Sequence, residues 1–283
     1  MRIAGLAVVA GMVWLPTARG HYHMLLPDKP SVKRGEAVTF TYQFGHPFEH
    51  QLFDTQPPRE LFVITPGGAK RDLLKTLEKT AADGADGKKV AAFRFAFTPE
   101  DRGDYLFVAK SPAFHLEDDK RPHEDMVKVF VHVQTQNGWE HKFGEFAELV
   151  LEDSTLVLEV SPLTRPYGLQ PGMVFRLEVE ESRNDLGVII IRPASGDIQP
   201  DRSRPLSGAM VEVERYNPTP PKELPPDEHI TRVVRTDRVG TATATLTDPG
   251  WWSLTASREV KGTLHRCTFW VFVDDKVPLQ PAK

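Results

Sequence analysis

Cysteine is nearly missing from this chain. Cys267 stands alone among 283 residues, so no disulfide can close within the chain and no thiol lies near the N-terminus to carry a lipid. Long apolar runs are also scarce: beyond the first twenty residues nothing approaches the roughly eighteen apolar residues of a membrane span. Charge is close to balanced, with a net of −4 and no basic stripe, which excludes nucleic acid as a natural partner. There is no Gly-x-Ser-x-Gly elbow, phosphate loop, dinucleotide fingerprint or His-Glu-x-x-His pair. No catalytic residue is therefore nominated, and the expectation is a protein that is not an enzyme. Cys267 falls in the apolar stretch from Leu264 to Val273, where it reads as a small buried hydrophobe.

What is present begins with a leader. Arg2, the apolar stretch from Ile3 to Leu15, Pro16 and the small-residue end Ala18-Arg19-Gly20 have the order of a secretory signal peptide, residues 1–20. The expected location is periplasmic or secreted, with no stable membrane insertion after cleavage. The mature chain would then open on His21-Tyr22-His23, a potential metal chelate built from a free α-amine, backbone amides and imidazole.

Twenty-four prolines, twenty glycines and short alternating runs such as Val38 to Tyr42, Phe93 to Phe97 and Val127 to Val131 point to an all-β protein. The one stretch with helical character, about Arg71 to Thr80, reads as a loop ornament. Val32 to Tyr42 aligns with Leu169 to Val179: an apolar residue, a turn glycine (Gly35, Gly172) and an alternating strand. Asp101-Arg102-Gly103-Asp104-Tyr105 has the spacing of an immunoglobulin tyrosine corner, and Asp248-Pro249-Gly250-Trp251-Trp252 repeats it with tryptophan in the aromatic place. The expectation is two tandem immunoglobulin-like β-sandwiches, residues 21–147 and 148–283, joined through a linker at Thr135 to Glu148.

That topology places histidines. His21 and His23 precede or begin strand A, His46 and His50 follow strand B, and His115 and His123 lie in the long connection after strand F. All three places belong to one pole of an immunoglobulin-like sandwich. The corresponding places in the second half hold no histidine. These six are the candidate metal ligands, with Glu49, Asp54, Glu117, Asp118, Asp119, Glu124 and Asp125 available to orient their rings. Imidazole suits nickel, copper, zinc and sometimes cobalt. Amide participation at residues 21–23 would give a square-planar site for copper or nickel, whereas the amine and ring of His21 together with His46 would resemble a histidine brace and favour copper. His132 is assigned to structure, on the strand face opposite Val127, Val129, Val131 and Val133. The tryptophans are assigned to packing.

His21 after the leader, Gly45-His46-Pro47-Phe48-Glu49-His50, Ser161 to Leu169, Val211 to Asn217 and Gly250-Trp251-Trp252 together resemble the NikM-like (NikK-type) periplasmic proteins associated with nickel and cobalt uptake transporters. The resemblance implies nickel or cobalt handling, with His21, His46 and His50 as the positions carried over and a membrane-embedded metal importer as partner. The chain departs from that pattern in lacking a C-terminal membrane-spanning segment and in the length of the stretch from Asn184 to Asp201. The expected function is capture of a divalent transition metal, nickel or cobalt ahead of copper or zinc, for uptake. Two alternatives stand beside it: an interaction module using the five-proline loop Asn217 to Glu228, and a copper oxidase built on a histidine brace.

Overall fold

The computed structural model describes residues 20–84, 87–117, 119–134, 157–182 and 203–275. The leader before Gly20, the linker from Thr135 to Glu148, Trp139, His141 and the stretch 184–201 lie outside the described residues.

The protein is all-β, and its described strands form three sheets. The first holds β1 (Tyr22–Pro27), β3 (Val38–His46), β8 (Lys89–Phe97) and β7 (Glu78–Asp83), with β4 (Gln51–Phe53) paired to β3. The second runs β16 (Thr231–Arg235), β15 (Met210–Arg215), β18 (Gly250–Val260), β19 (Thr263–Val273), β11 (Asp119–Val133), β9 (Gly103–Lys110), β5 (Glu60–Ile64) and β6 (Lys70–Asp72). The short β2 (Ser31–Val32) and β10 (Phe114–Leu116) pair with its β11. The third holds β12 (Leu158–Pro162), β13 (Met173–Ser182) and β14 (Ser203–Pro205), with β17 (Thr241–Leu246) paired to β13.

The large sheet serves two cores, one on each face. Successive strand residues point to opposite faces. On β11, Val127, Val129, Val131 and Val133 join the core beneath the first sheet, while Met126 and Phe130 join the core beneath the third. Strand β9 divides in the same way, with Tyr105, Phe107 and Ala109 on one side and Leu106 and Val108 on the other. Burial on both faces explains why Leu61 to Ile64 and Leu106 to Ala109 are continuous apolar runs rather than alternating ones.

The two sandwiches are not beads on a string. Strand β11 of the first half pairs in parallel with β19 of the second, from His123↔Leu264 to Val129↔Trp270. Parallel neighbours cannot be joined by a tight hairpin, so this pairing is a long-range contact that fuses both halves into one ten-stranded sheet.

The internal repeat is visible in the backbone. Gly35 and Gly172 both take left-handed φ, 78° and 84°, which glycine adopts without steric cost. Gly35 donates its N–H to the carbonyl of Pro99, two residues past β8, and Gly172 to that of Leu246 at the end of β17. The corners match as well. The Tyr105 hydroxyl accepts from the Asp101 amide at 2.9 Å and donates to the Asp101 carbonyl at 3.1 Å. Trp252 Nε1 donates to the Asp248 carbonyl at 2.9 Å. One expectation is corrected: the stretch from Arg71 to Thr80 is not helical beyond a single 3-10 turn at Leu74–Thr76 set between strands β6 and β7. Its short strands pair with β5 and β8, so sheet hydrogen bonding outweighs local helix propensity.

An ion pair lies inside the second core. Lys128 of β11 reaches Glu159 of β12, with side chains 2% and 0% exposed. Removing one partner strands a buried charge. Lys128→Ala should therefore lower unfolding free energy by about 3–5 kcal/mol, while the apolar double replacement Lys128→Met with Glu159→Leu should recover most of that loss in urea denaturation.

Candidate functional site

The site is built by the hairpin that follows β3. Strand β1 pairs antiparallel with β3 through Tyr22↔Gly45 and His23↔Phe44, and continuing that register sets His21 opposite His46. Their ring centroids are 4.1 Å apart. Gly45 makes the return possible: a Cβ there would fall 2.0 Å from the Gln51 carbonyl oxygen, so the chain can approach itself only where no side chain stands. Phe53 of β4 then lies 5.1 Å from the His21 ring and 5.8 Å from His46, ring centroid to ring centroid, and Phe44 lies 5.9 Å from His21.

These rings form one wall of a cavity of about 860 Å³. His115 and His123 line it from the hairpin of β10 and β11. Of the six candidate ligands, His21, His46, His115 and His123 are thus brought to one cavity. The cavity is not a free tip of the first sandwich, because Glu212, Ser257, Leu264 and Arg266 of the second half close its far side. Sequence reasoning missed those four. Only the parallel pairing of β11 with β19 brings them there, and no local signal announces it.

Two candidates are placed elsewhere. His23 is buried beneath the cavity, with Nδ1 2.7 Å from Asp125 Oδ2 and Nε2 3.2 Å from Thr55 Oγ1. Its backbone N–H also donates to Asp125 at 3.3 Å. Its amide and ring are thus both engaged in hydrogen bonds. His50 occupies the left-handed position of the hairpin, φ 52°, and its Nδ1 is 2.8 Å from the Asn217 carbonyl oxygen. It fastens the turn to the second half instead of facing the cavity.

Among the described residues, no three His, Cys, Asp or Glu side chains converge in a way that would hold a metal ion. His123 is 2% exposed and neither ring nitrogen has a hydrogen-bond partner, although Asp119 Oδ2 is 3.3 Å from Nε2. Burial, reinforced by Arg266, pushes its pKa down. His132 is structural, as expected: its Nδ1 lies 2.7 Å from Asp104 Oδ1 and its ring stacks on Tyr167 at 4.0 Å. Cys267 is buried, and desolvation raises its pKa.

The floor of the site is one carboxylate. Asp125 receives Arg266 Nε and Nη2, each at 2.7 Å, in addition to His23. Burial alone would raise its pKa, yet Arg266 and His23 hold it well below the usual carboxylate range. A second cavity of about 490 Å³ shares Gly20 and His46 with the first and carries Glu49, Glu214, Asp227 and Glu228. Burial pushes Glu214 up to about 8, while it accepts hydrogen bonds from the Phe48 amide at 3.0 Å and the Thr231 hydroxyl at 2.9 Å.

Residues 18–180 match the family described as "Domain of unknown function (DUF4198)", and the chain belongs to that family. No curated protein matches it. Among solved structures, the D0-D1 domain of intimin aligns at 14% identity and a TM-score of 0.19, over 88% of this chain and 98% of that one. A DUF4785 family protein from Legionella pneumophila aligns at 10% identity and 0.28, over 83% of this chain and 52% of that one. A trypsin-activated alpha-2-macroglobulin from Escherichia coli aligns at 10% and 0.25, over 92% of this chain and 16% of that one.

Two outcomes follow from the buried carboxylates. Asp125→Ala leaves Arg266 buried without its counter-ion and should cost about 3–5 kcal/mol, measured by chemical denaturation. Glu214 keeps its proton in the folded state to about 8 but loses it near 4.5 when unfolded. Between those values the native state holds the extra proton, so stability falls as pH rises, by at most about 1.4 kcal/mol per pH unit. Glu214→Gln can keep the Phe48 amide bond on Oε1 and donate from Nε2 to the Thr231 hydroxyl, and should flatten that part of the stability profile.

Proposed function

We propose that the chain is an extracytoplasmic binding protein that captures a divalent transition metal, nickel or cobalt ahead of copper or zinc, and presents it to a membrane-embedded importer. The observation that carries this reading is the His21–His46 pair, 4.1 Å between ring centroids, on the wall of a cavity that His115 and His123 also line. Two imidazoles are too few for a firm site. Cleavage after Gly20 would add the α-amine of His21, and amine, His21 ring and His46 ring would make three nitrogen donors of the kind borderline metals accept. With His23 engaged by Asp125, this brace-like arrangement is the one that His21 can reach, and it admits copper as well as nickel and cobalt.

The test is calorimetry on two chains, one beginning at His21 and one beginning at Gly20. The first should bind nickel or copper at micromolar concentration or tighter, with affinity falling as pH drops and the imidazoles protonate. The second displaces the amine by one residue and should bind at least tenfold more weakly, as should His46→Ala in the first. No binding of nickel, cobalt or copper to the His21 chain ends the reading.

A further inference from the structure

We infer that a second site, on the outer face of the first sheet, binds a neutral oligosaccharide. It is a trough of about 430 Å³, within the range of roughly 300–1,000 Å³ typical of organic ligand sites. None of its lining residues belongs to either cavity beside His46. The floor comes from β3. Val38, Phe40 and Tyr42 enter the first core, so the alternate residues Thr39, Thr41 and Gln43 stand on the opposite face. Arg94 of β8 is the register partner of Thr41. One wall comes from the second half, where the Tyr216 amide donates to the Trp251 carbonyl at 2.8 Å and both side chains are half-buried.

Unused polar groups are the first argument. Among the described residues, the Thr39 and Thr41 hydroxyls, Gln43 Oε1, Trp251 Nε1 and the Arg94 guanidinium have no hydrogen-bond partner, although all five residues line the trough. Asp28 Oδ1 accepts the Thr39 amide at 2.9 Å, which leaves Oδ2 for another donor. Gln43 is only 5% exposed, and its Nε2 donates to the Tyr216 hydroxyl at 3.3 Å and to Met24 Sδ at 3.7 Å. Buried polar groups are normally satisfied, so its open carbonyl marks a place for a ligand donor.

Trp251 is the second argument. Trp252, not Trp251, makes the bond to the corner at Asp248, and the first half holds Asp104 at the place corresponding to Trp251. The repeated scaffold therefore does not require an indole there. The Trp251 ring meets Phe272 at 5.1 Å and packs only partly against the first core. The face of an aromatic ring carries partial negative charge, which suits the polarised C–H groups on one side of a pyranose.

The balance of donors and acceptors is the third argument. A proline-rich segment, a common occupant of aromatic grooves, offers carbonyl acceptors and no N–H from its prolines, so Asp28 Oδ2 and Gln43 Oε1 would stay unpaired. A sugar hydroxyl both donates and accepts. Arg94 and Asp28 are opposite in sign, so the trough favours a ligand without net charge.

The experiment titrates the chain beginning at His21, free of metal, with cellopentaose, chitopentaose and maltopentaose, read by calorimetry and tryptophan fluorescence. At least one should bind one-to-one with a Kd of about 1 mM or tighter. Trp251→Ala should weaken that sugar about tenfold, and Arg94→Ala and Thr41→Val about threefold each. The last two remove no internal hydrogen bond and should leave the thermal midpoint within about 2 °C, so their loss of affinity is not loss of fold. No saturable binding of any of the three sugars overturns the inference, as does binding that all three variants leave unchanged. Decaproline that binds more tightly than the sugars makes the trough a peptide groove, and pentagalacturonate that binds where the neutral sugars do not makes it an anion site. Either result refutes the assignment. Metal capture stands or falls separately, because no metal enters the titration.

Discussion

The Asp125 carboxylate holds the two halves of this molecule in one geometry. It sits on β11, the strand that pairs in parallel with β19, and accepts the guanidinium of Arg266 from the second half while holding His23 from the first strand. All three residues are buried. A buried charge is tolerated only when it is paired and hydrogen-bonded, so loss of any member would strand the others. The parallel ladder sets the height of β19 against β11, and the carboxylate fixes β1 on top of that junction. His21 is two residues from His23, so its place on the cavity wall follows from a bond made below it.

The hairpin at Gly45 to His50 acts from the other side. The Phe48 amide donates to Glu214, Asn217 Nδ2 donates to the Phe48 carbonyl, the Asn217 amide donates to the Pro47 carbonyl, and His50 meets the Asn217 carbonyl. Half of this motif is therefore a clasp between sandwiches, and His46 is the member turned towards the cavity. A motif that looked like a run of ligands divides by position in the turn: the residue still in the strand faces the site, and the residue in left-handed conformation faces the neighbour. The five-proline loop begins where this clasp ends.

Local patterns in the sequence carried much of the fold. Alternation located the strands around Val38, Phe93 and Val127, and the repeated glycine turns and aromatic corners revealed one scaffold used twice. Those features depend on a few adjacent residues, which is why they can be read without coordinates. The parallel pairing of β11 with β19 depends on residues about 140 positions apart, as the Asp125–Arg266 separation of 141 shows, and no periodicity encodes it. The same limit applies to the site. Topology brought four histidines to one cavity, but the engagement of His23 by Asp125 and of His50 by Asn217 is decided by partners distant in sequence.

Six of the histidines fall into two kinds, those set against a buried aspartate and those that line a cavity, whereas His50 is held by the Asn217 carbonyl. His23 and His132 each sit against a buried aspartate, at 2.7 Å in both cases, and their rings pack against aromatic neighbours. Such residues are explained by the stability of the sandwich. His21, His46, His115 and His123 line a cavity instead, and the second sandwich forms its own glycine turn and aromatic corner with no histidine at the equivalent places. The repeated scaffold folds without them, although here they too pack against aromatic rings, His21 and His46 against Phe53 and His123 against Phe114. Burial, reinforced by Arg266, pushes the His123 pKa down, while Asp119 Oδ2 lies 3.3 Å from its Nε2.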